Sequence, residues 1–227
     1  MNKDMKIWKT LKILKKESKN FRDAALTEIG HESHDAFQVL VSCIMSLRTR
    51  DTVTYPTAKK LFSVVRTPRQ IASMPLRRLE DMIRPVNFYR TKAKRIRQIA
   101  KDIDAKYGGK VPSDFDELMK FKGVGRKTAN IVMTYGHNSR YHIAVDIHVH
   151  RIPNRLGWVD TRTPEQTEEA LKRIVPKRYW RDINDIFVRF GQSICLPRNP
   201  KCNACPVNKY CMYYKDRYKP AHAKKRV

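Results

Sequence analysis

The stretch KGVGRKTAN, residues 122–130, decides the fold, because a glycine turn is followed at once by residues that start a helix. Gly123 and Gly125 flank one valine and permit positive φ and close backbone approach. The wider sequence FDELMKFKGVGRKTANIVMTYG predicts a helix, a tight turn and a second helix that begins near Arg126. The free N–H groups at the start of that second helix attract phosphate. The pattern predicts a helix-hairpin-helix that binds the nucleic-acid backbone; an ordinary turn between two helices is the alternative.

The charge of the chain supports a polyanionic partner. Its 227 residues include 48 Lys and Arg against 22 Asp and Glu, which gives a formal net charge of +26. Such an excess repels itself unless a polyanion is bound, so nucleic acid is the leading candidate and an anionic membrane surface is second. No apolar run approaches the ~18 residues of a membrane span, and the opening residues lack the apolar segment of a signal peptide. With 41% hydrophobic residues, the chain is long enough for one large domain or two small ones.

Helix patterns dominate the remainder of the sequence. Helices are predicted at 5–17, with Ile7, Trp8, Leu11 and Leu14 on one face, and at 35–47 and 182–194. Start signals are predicted at Thr67–Pro68, Thr163–Pro164, Thr91 and the pair Ser113 and Asp116. Only VDIHVHRI, residues 145–152, alternates apolar and polar residues as a strand does.

Lys127 stands at the start of a predicted helix, where positive charge is unfavourable. It is either one more phosphate-binding lysine or a nucleophile. Burial, the positive helix end and adjacent Arg126 all disfavour an ammonium ion. A lysine in such a setting is neutral often enough to attack an electrophilic carbon and form a Schiff base.

Asp146 is the first carboxylate after the hairpin, since residues 127–145 contain no Asp or Glu. An amine that attacks a sugar needs a nearby carboxylate to stabilise positive charge or to move protons. Asp146 also fits a helix N-cap, and the two roles are compatible because a cap holds the carboxylate rigidly. If it is a cap, the residues that follow are helical and the strand prediction fails.

Four of the five cysteines form a compact array, C-x6-C-x2-C-x5-C, within residues 195–211. Such crowding favours a cysteine-ligated metal in a reducing, intracellular compartment over a secreted disulfide framework. Both zinc and an iron–sulfur cluster accept four cysteines, so the spacing leaves the metal open; a C-x-x-C redox pair is the weaker alternative. The candidate ligands are Cys195, Cys202, Cys205 and Cys211.

FKGVGRKTANIV followed by AVDIHVHRIPNRLGW resembles the endonuclease III family of DNA glycosylases, in the helix-hairpin-helix superfamily. The resemblance runs from about Ala36 to Tyr213 and includes the cysteine array in the family's order. It implies that Lys127 is the Schiff-base nucleophile, that Asp146 is the catalytic carboxylate, and that the cysteines hold a [4Fe-4S] cluster.

The same resemblance implies an all-α, two-domain fold with a C-terminal cluster loop. A six-helix barrel with the hairpin is expected over residues 30–139, and a second helical domain over 1–29 plus 140–227, with the active site between them. DNA contacts are expected from the hairpin residues Gly123, Val124, Gly125 and Arg126 and from the cluster-loop residues Arg198 and Lys201.

Two further positions are assigned to base extrusion. VNFYRTKAK resembles the family segment that carries an intercalating side chain, here Phe88, for which packing in the core is the alternative. SLRTRD resembles a loop that usually carries glutamine in its third place, where this chain has Arg48. That departure puts the lesion and opposite-base preference in question.

The sequence therefore predicts an intracellular, DNA-associated base-excision glycosylase with AP-lyase activity that removes oxidised pyrimidines from duplex DNA. Its partner is double-stranded DNA with damaged bases or abasic sites; a monomer without a membrane partner is expected. The alternatives are a T/G or U/G mismatch glycosylase of the same superfamily, which often carries tyrosine in place of Lys127, and a non-catalytic DNA-binding cluster protein.

Overall fold

The computed structural model describes residues 2–21, 29 and 35–218. Within these ranges the chain is helical and contains no strand, which confirms the all-α prediction. The α-helices are α1 Lys3–Glu17, α2 Ala36–Ser46, α3 Asp51–Val64, α4 Pro68–Ser73, α5 Leu76–Met82, α6 Tyr89–Lys106, α7 Phe115–Met119, α8 Arg126–Ile131, α9 Ile147–Leu156, α10 Pro164–Ile174 and α11 Trp180–Ser193. Short 3-10 turns lie at Ser18–Asn20, Lys177–Tyr179, Cys202–Ala204 and Asn208–Tyr210, and π turns at Val132–Gly136 and Tyr214–Tyr218. Among the described helices, none has the length and apolarity needed to cross a bilayer.

The chain divides into two compact units, Ala24–His142 and Met1–Asp23 with Ile143–Val227. The predicted boundary after residue 29 falls beside residues 30–34, which lie outside the described ranges, so that boundary stays a prediction.

The unit Ala24–His142 is organised around α2, whose side chains from Val39 to Met45 are buried. Asp35 starts this helix by accepting hydrogen bonds from Phe37 N at 2.7 Å and Gln38 N at 3.2 Å. The π turn Val132–Gly136 packs against α2, and a Cβ at Gly136 would lie 2.6 Å from Ala36 Cα. Glycine is therefore required where the end of the hairpin helix meets the core helix.

The unit Met1–Asp23 with Ile143–Val227 has its own core. Ile7, Leu11 and Leu14 of α1 are fully buried there against residues of α9, α10 and α11. Trp8 was predicted on the same face, but it is 38% exposed and Lys12 lies over its ring.

Three sequence predictions of local structure are wrong. Residues 147–156 form a helix rather than a strand, and Pro153 lies inside it. The helix expected to be capped by Thr91 begins at Tyr89, because Phe88 adopts a left-handed conformation and becomes the N-cap. The cap of α7 is Asp114, which accepts a hydrogen bond from Glu117 N at 2.9 Å, and not the pair Ser113 and Asp116. The N-caps predicted at Thr67 and Thr163 are both confirmed.

Candidate functional site

The hairpin turn needs glycine at one of its two positions. Gly123 has φ +88°, and a Cβ there would lie 2.5 Å from side-chain atoms of Arg95. Gly125 has φ −105° and open space around it, so it does not use the positive φ that glycine permits. Val124 is buried and its N–H donates to Phe121 O at 2.9 Å, so its side chain faces inward.

Lys127 is the second residue of α8 and is exposed. Burial was expected to favour its neutral form, and that expectation is wrong; accessibility instead suits a group that must reach a carbon of the substrate. Its neighbour Arg126 lies over the ring of Phe115 at 5.3 Å, and that ring stacks on His142 at 5.8 Å. These contacts fix the direction of Arg126 beside the nucleophile candidate.

Cys43, the cysteine outside the array, lies in the core near Lys127. Burial raises the pKa of the Cys43 thiol to about 12, although the positive charge of Lys127 acts in the opposite direction. A thiol with so high a pKa is inert at neutral pH. Cys43 therefore does not compete with Lys127 as a candidate nucleophile.

Asp146 is the N-cap of α9, which is one of the two roles that the sequence predicts for it. Its Oδ1 accepts hydrogen bonds from His148 N and Val149 N, both at 2.9 Å. Its Oδ2 accepts no hydrogen bond from any residue in the described ranges. Oδ1 therefore anchors the carboxylate to the helix, while Oδ2 takes no part in the cap.

The chain that leads to Asp146 is rigid. Ile143, Ala144 and Val145 are buried, and the side-chain amide of Asn184 donates to Ala144 O at 2.9 Å. This contact fixes the backbone two residues before the carboxylate. No local sequence pattern indicates this contact, because Asn184 lies on a distant helix.

The four cysteines of the array line one small cavity of about 20 Å³. Within the described ranges, no group of three or more His, Cys, Asp or Glu side chains has the geometry of a metal site. Burial raises the pKa of Cys202 to about 11 and that of Cys205 to about 12. Four cysteines around one cavity fit the ligand set of either a zinc ion or an iron–sulfur cluster.

Two arginines of α9 hold the cysteine loop, and sequence analysis missed both because the chain is rich in arginine. Arg155 donates to Leu196 O at 2.7 Å and to Pro197 O at 2.9 Å, and its guanidinium contacts Cys195 Sγ at 3.5 Å. Arg151 donates to Cys195 O at 2.8 Å. The helix that begins at Asp146 therefore also supports the metal loop.

The loop that the cysteines enclose presents the two predicted phosphate contacts. Arg198 and Lys201 are both exposed. The backbone N–H of Lys201 donates to Ile194 O at 2.9 Å, which ties the loop to the end of α11. A fixed backbone with mobile cationic ends suits contact with a polyanion.

Arg48 and Phe88, the two residues predicted to take part in base extrusion, lie 40 positions apart in the sequence. The fold of the Ala24–His142 unit brings them together. Both are exposed and both have left-handed backbones, with φ of 54° and 57°. Asn87 Nδ2 donates to Arg48 O at 2.6 Å, which joins the two loops directly. Phe88 is 63% exposed, so packing in the core is excluded.

Comparison with known proteins agrees with these features. Residues 41–177 match the family model "HhH-GPD superfamily base excision DNA repair protein", and residues 195–211 match "Iron-sulfur binding domain of endonuclease III". Endonuclease III of Thermotoga maritima is 50% identical over 190 residues, which cover 84% of this chain and 89% of that protein.

Two solved structures are similar to the whole described fold. A non-covalent endonuclease III–DNA complex matches with a TM-score of 0.84 and 33% identity over 96% of this chain and 100% of that chain. A trapped covalent endonuclease III–DNA intermediate, an estranged-adenine complex, matches with a TM-score of 0.78 and 33% identity over 96% and 99%.

Proposed function

We propose, from the premise that this chain belongs to the endonuclease III family of base excision repair DNA glycosylases and lyases, that Lys127 is its nucleophile and Asp146 its catalytic carboxylate. The observation that carries the proposal is the state of Asp146. The carboxylate is anchored through Oδ1, while Oδ2 takes no part in the cap, and the lysine in the family's position is exposed at the hairpin.

The reaction begins with attack of the neutral Lys127 amine on C1′ of a damaged nucleotide. A bond forms between Nζ and C1′, the bond from C1′ to the base breaks, and the base leaves with a proton. The negative Oδ2 of Asp146 stabilises the positive charge that develops on the sugar. A preorganised carboxylate is worth most here, since it need not reorganise as the charge appears.

Strand cleavage follows from the covalent intermediate. The C1′–O4′ bond breaks, O4′ takes up a proton and the sugar ring opens, which leaves a Schiff base between Nζ of Lys127 and C1′. This Schiff base makes the C2′ proton acidic. Removal of that proton breaks the bond from C3′ to its phosphate oxygen, and the 3′ phosphate leaves. Water then hydrolyses the imine and frees the lysine. One of the similar solved structures is a trapped covalent endonuclease III–DNA intermediate, which supports this route.

The chain carries the [4Fe-4S] cluster of its family, and we infer that Cys195, Cys202, Cys205 and Cys211 are its ligands. The cluster ties down a loop that presents Arg198 and Lys201 to DNA phosphates. The proposed role of the cluster is structural. Arg151 of α9 donates a hydrogen bond to Cys195 O and so links the cysteine loop to the helix that Asp146 caps.

Oxidised pyrimidines in duplex DNA are the proposed substrates, and abasic sites are processed by the same lysine. A saturated pyrimidine is non-planar and stacks poorly, so it is extruded at lower cost than thymine in a mismatch. Phe88 fills the gap and Arg48 meets the orphaned base. The enzyme is proposed to act as a monomer on DNA inside the cell.

Borohydride reduction on abasic duplex DNA tests the nucleophile. The wild-type chain should become covalently attached, and Lys127→Ala should abolish attachment while duplex binding stays within about threefold. Lys101→Ala, which changes an exposed lysine of α6, is the matched control and should be trapped like wild type. Trapping that survives Lys127→Ala would move the nucleophile to another amine.

Single-turnover excision tests the substrate class. Thymine glycol should be removed far faster than thymine from a G·T mismatch on otherwise identical duplexes. Arg48→Gln should weaken any preference for guanine opposite the lesion more than it slows excision, because the guanidinium fork fits guanine O6 and N7. Faster removal of mismatched thymine would overturn the oxidised-pyrimidine assignment.

A further inference from the structure

Lys92, on the first turn of α6, is a buried lysine with an unusual set of partners. It is 4% exposed. Its ammonium donates to Met45 O at 2.8 Å, to Leu47 O at 2.5 Å and to Thr49 Oγ1 at 3.0 Å. All three acceptors lie in residues 45–49, the segment that presents Arg48.

The burial of this charge is not explained by an ion pair. No acidic side chain in the described ranges pairs with Lys92. Burial, with a further contribution from Arg95, lowers the pKa of the Lys92 ammonium to about 8. Burying an ammonium is costly unless its protons are hydrogen-bonded, and here three protons meet three acceptors. A methionine could fill the same space without this cost, so the hydrogen bonds are what the lysine adds.

Lys92 is joined to Phe88 as closely as to the Arg48 segment. Its backbone N–H donates to Phe88 O at 3.1 Å, since Phe88 is the N-cap of α6. Asn87 adds the second connection by donating to Arg48 O at 2.6 Å. Lys92 and the side-chain amide of Asn87 therefore connect segments 45–49 and 87–89. These two segments carry the exposed side chains of Arg48 and Phe88.

Both exposed side chains extend from strained backbone conformations, and the hydrogen bonds just described hold those conformations in place. Arg48 and Phe88 adopt the left-handed region, which is unfavourable for a residue with a Cβ. Such conformations persist only where the surrounding structure imposes them. The carbonyl of Arg48 and the carbonyl of Phe88 are each held by the connection just described.

We propose that Lys92 is a positioning residue that, together with Asn87, holds Arg48 and Phe88 as one rigid pair for opening the duplex around the target base. The inference rests on the proposed function, in which Phe88 fills the gap and Arg48 meets the orphaned base. It adds that the two side chains act together, and that a residue without access to DNA sets their geometry.

Fluorescence of 2-aminopurine tests the pair without any bond-breaking chemistry. A duplex carries a tetrahydrofuran abasic analogue, which cannot form a Schiff base, opposite 2-aminopurine. Binding of the wild-type holoenzyme should unstack the 2-aminopurine and raise its fluorescence. Arg48→Ala and Phe88→Ala should each reduce the unstacking equilibrium, and the double variant should depart from the product of the two effects by about threefold or more.

The coupling between Arg48 and Phe88 should disappear when the connection is removed. In the Lys92→Met background and in the Asn87→Ala background, the two effects should become independent. Asn87 is exposed, so Asn87→Ala decides the matter even if Lys92→Met fails to fold, and the Lys101→Met background is the matched control that should retain full coupling. Mere loss of stability would lower the folded fraction without changing the coupling factor.

Three results would overturn the inference, and they differ in whether they also contradict the proposed function. Full coupling in Asn87→Ala, and in Lys92→Met if it folds, would remove the positioning role while leaving the proposed function intact. Independent effects in the wild-type background would show that the two side chains do not act as a pair. Silent Arg48→Ala and Phe88→Ala variants would reject their proposed roles in base extrusion as well. Borohydride trapping through Lys127 is measured separately and would be unaffected by any of these results.

Discussion

Substitution of Asp146 by asparagine separates its two roles, capping a helix and stabilising charge. Asparagine offers the same Oδ1 acceptor to His148 N and Val149 N and ranks with aspartate as an N-cap. We therefore expect Asp146→Asn to change the free energy of unfolding by only about 0.5 kcal/mol. Asp146→Ala removes the acceptor and should cost about 0.5–2 kcal/mol.

The excision rate should not follow the same order as the stability of the two variants. Both substitutions remove the negative charge at Oδ2, the oxygen without a hydrogen-bond partner in the described ranges. Loss of a positioned acid–base or charge-stabilising group slows a reaction by about 10²–10⁴-fold, which corresponds to about 3–5 kcal/mol in the barrier. Asp146→Asn and Asp146→Ala should thus be almost equally slow although only the second is clearly destabilised.

The assay is single-turnover release of thymine glycol, measured beside thermal unfolding and duplex affinity. Asp35 offers a matched control, because its Oδ1 caps α2 through Phe37 N and Gln38 N in the same way. Asp35→Asn should leave the excision rate unchanged, while Asp35→Ala should lower stability alone. An Asp146→Asn variant that excises at the wild-type rate would reduce Asp146 to a cap and refute the proposed role of Oδ2.

Three further results are expected. The purified chain should be yellow-brown with about four irons, and stoichiometric zinc in protein prepared without oxygen would contradict the cluster. Affinity for undamaged duplex should fall steeply with salt, and Arg198→Ala or Lys201→Ala should each flatten the log–log slope by about 0.9; an unchanged slope would remove that residue from the interface. Because the pKa of Lys92 is lowered to about 8 by burial and by Arg95, the unfolded state binds more protons than the folded state between pH 8 and about 10.4. The melting temperature of wild type relative to Lys92→Met should therefore rise with pH across this window, and a constant difference would contradict the lowered pKa.

The sequence was sufficient for the features that local chemistry decides. Helical periodicity, the glycine turn and the paired start signals such as Thr67–Pro68 depend on residues within a few positions of one another. The all-α fold was implied by the family resemblance. The cysteine spacing narrowed the metal to two kinds of centre, and the family resemblance, confirmed by the comparisons, selected the cluster.

Residues 145–152 show why local pattern was insufficient elsewhere. Their alternation fits a strand, but a strand needs a partner strand, whereas a cap needs only the two N–H groups that follow Asp146. Burial of Val149, Ile152 and Leu156 at helical spacing in one core then favours the helix. The choice depended on packing against residues far away in the sequence.

Tertiary structure alone decided the environment of single side chains. Lys92 is one of 48 cationic residues and carries no local signal, yet its burial beneath residues 45–49 makes it a candidate positioning residue. Lys127 was expected to be buried and is exposed. The reason is physical: burial and hydrogen bonding depend on which distant segments meet, and periodicity describes only the neighbours along one helix.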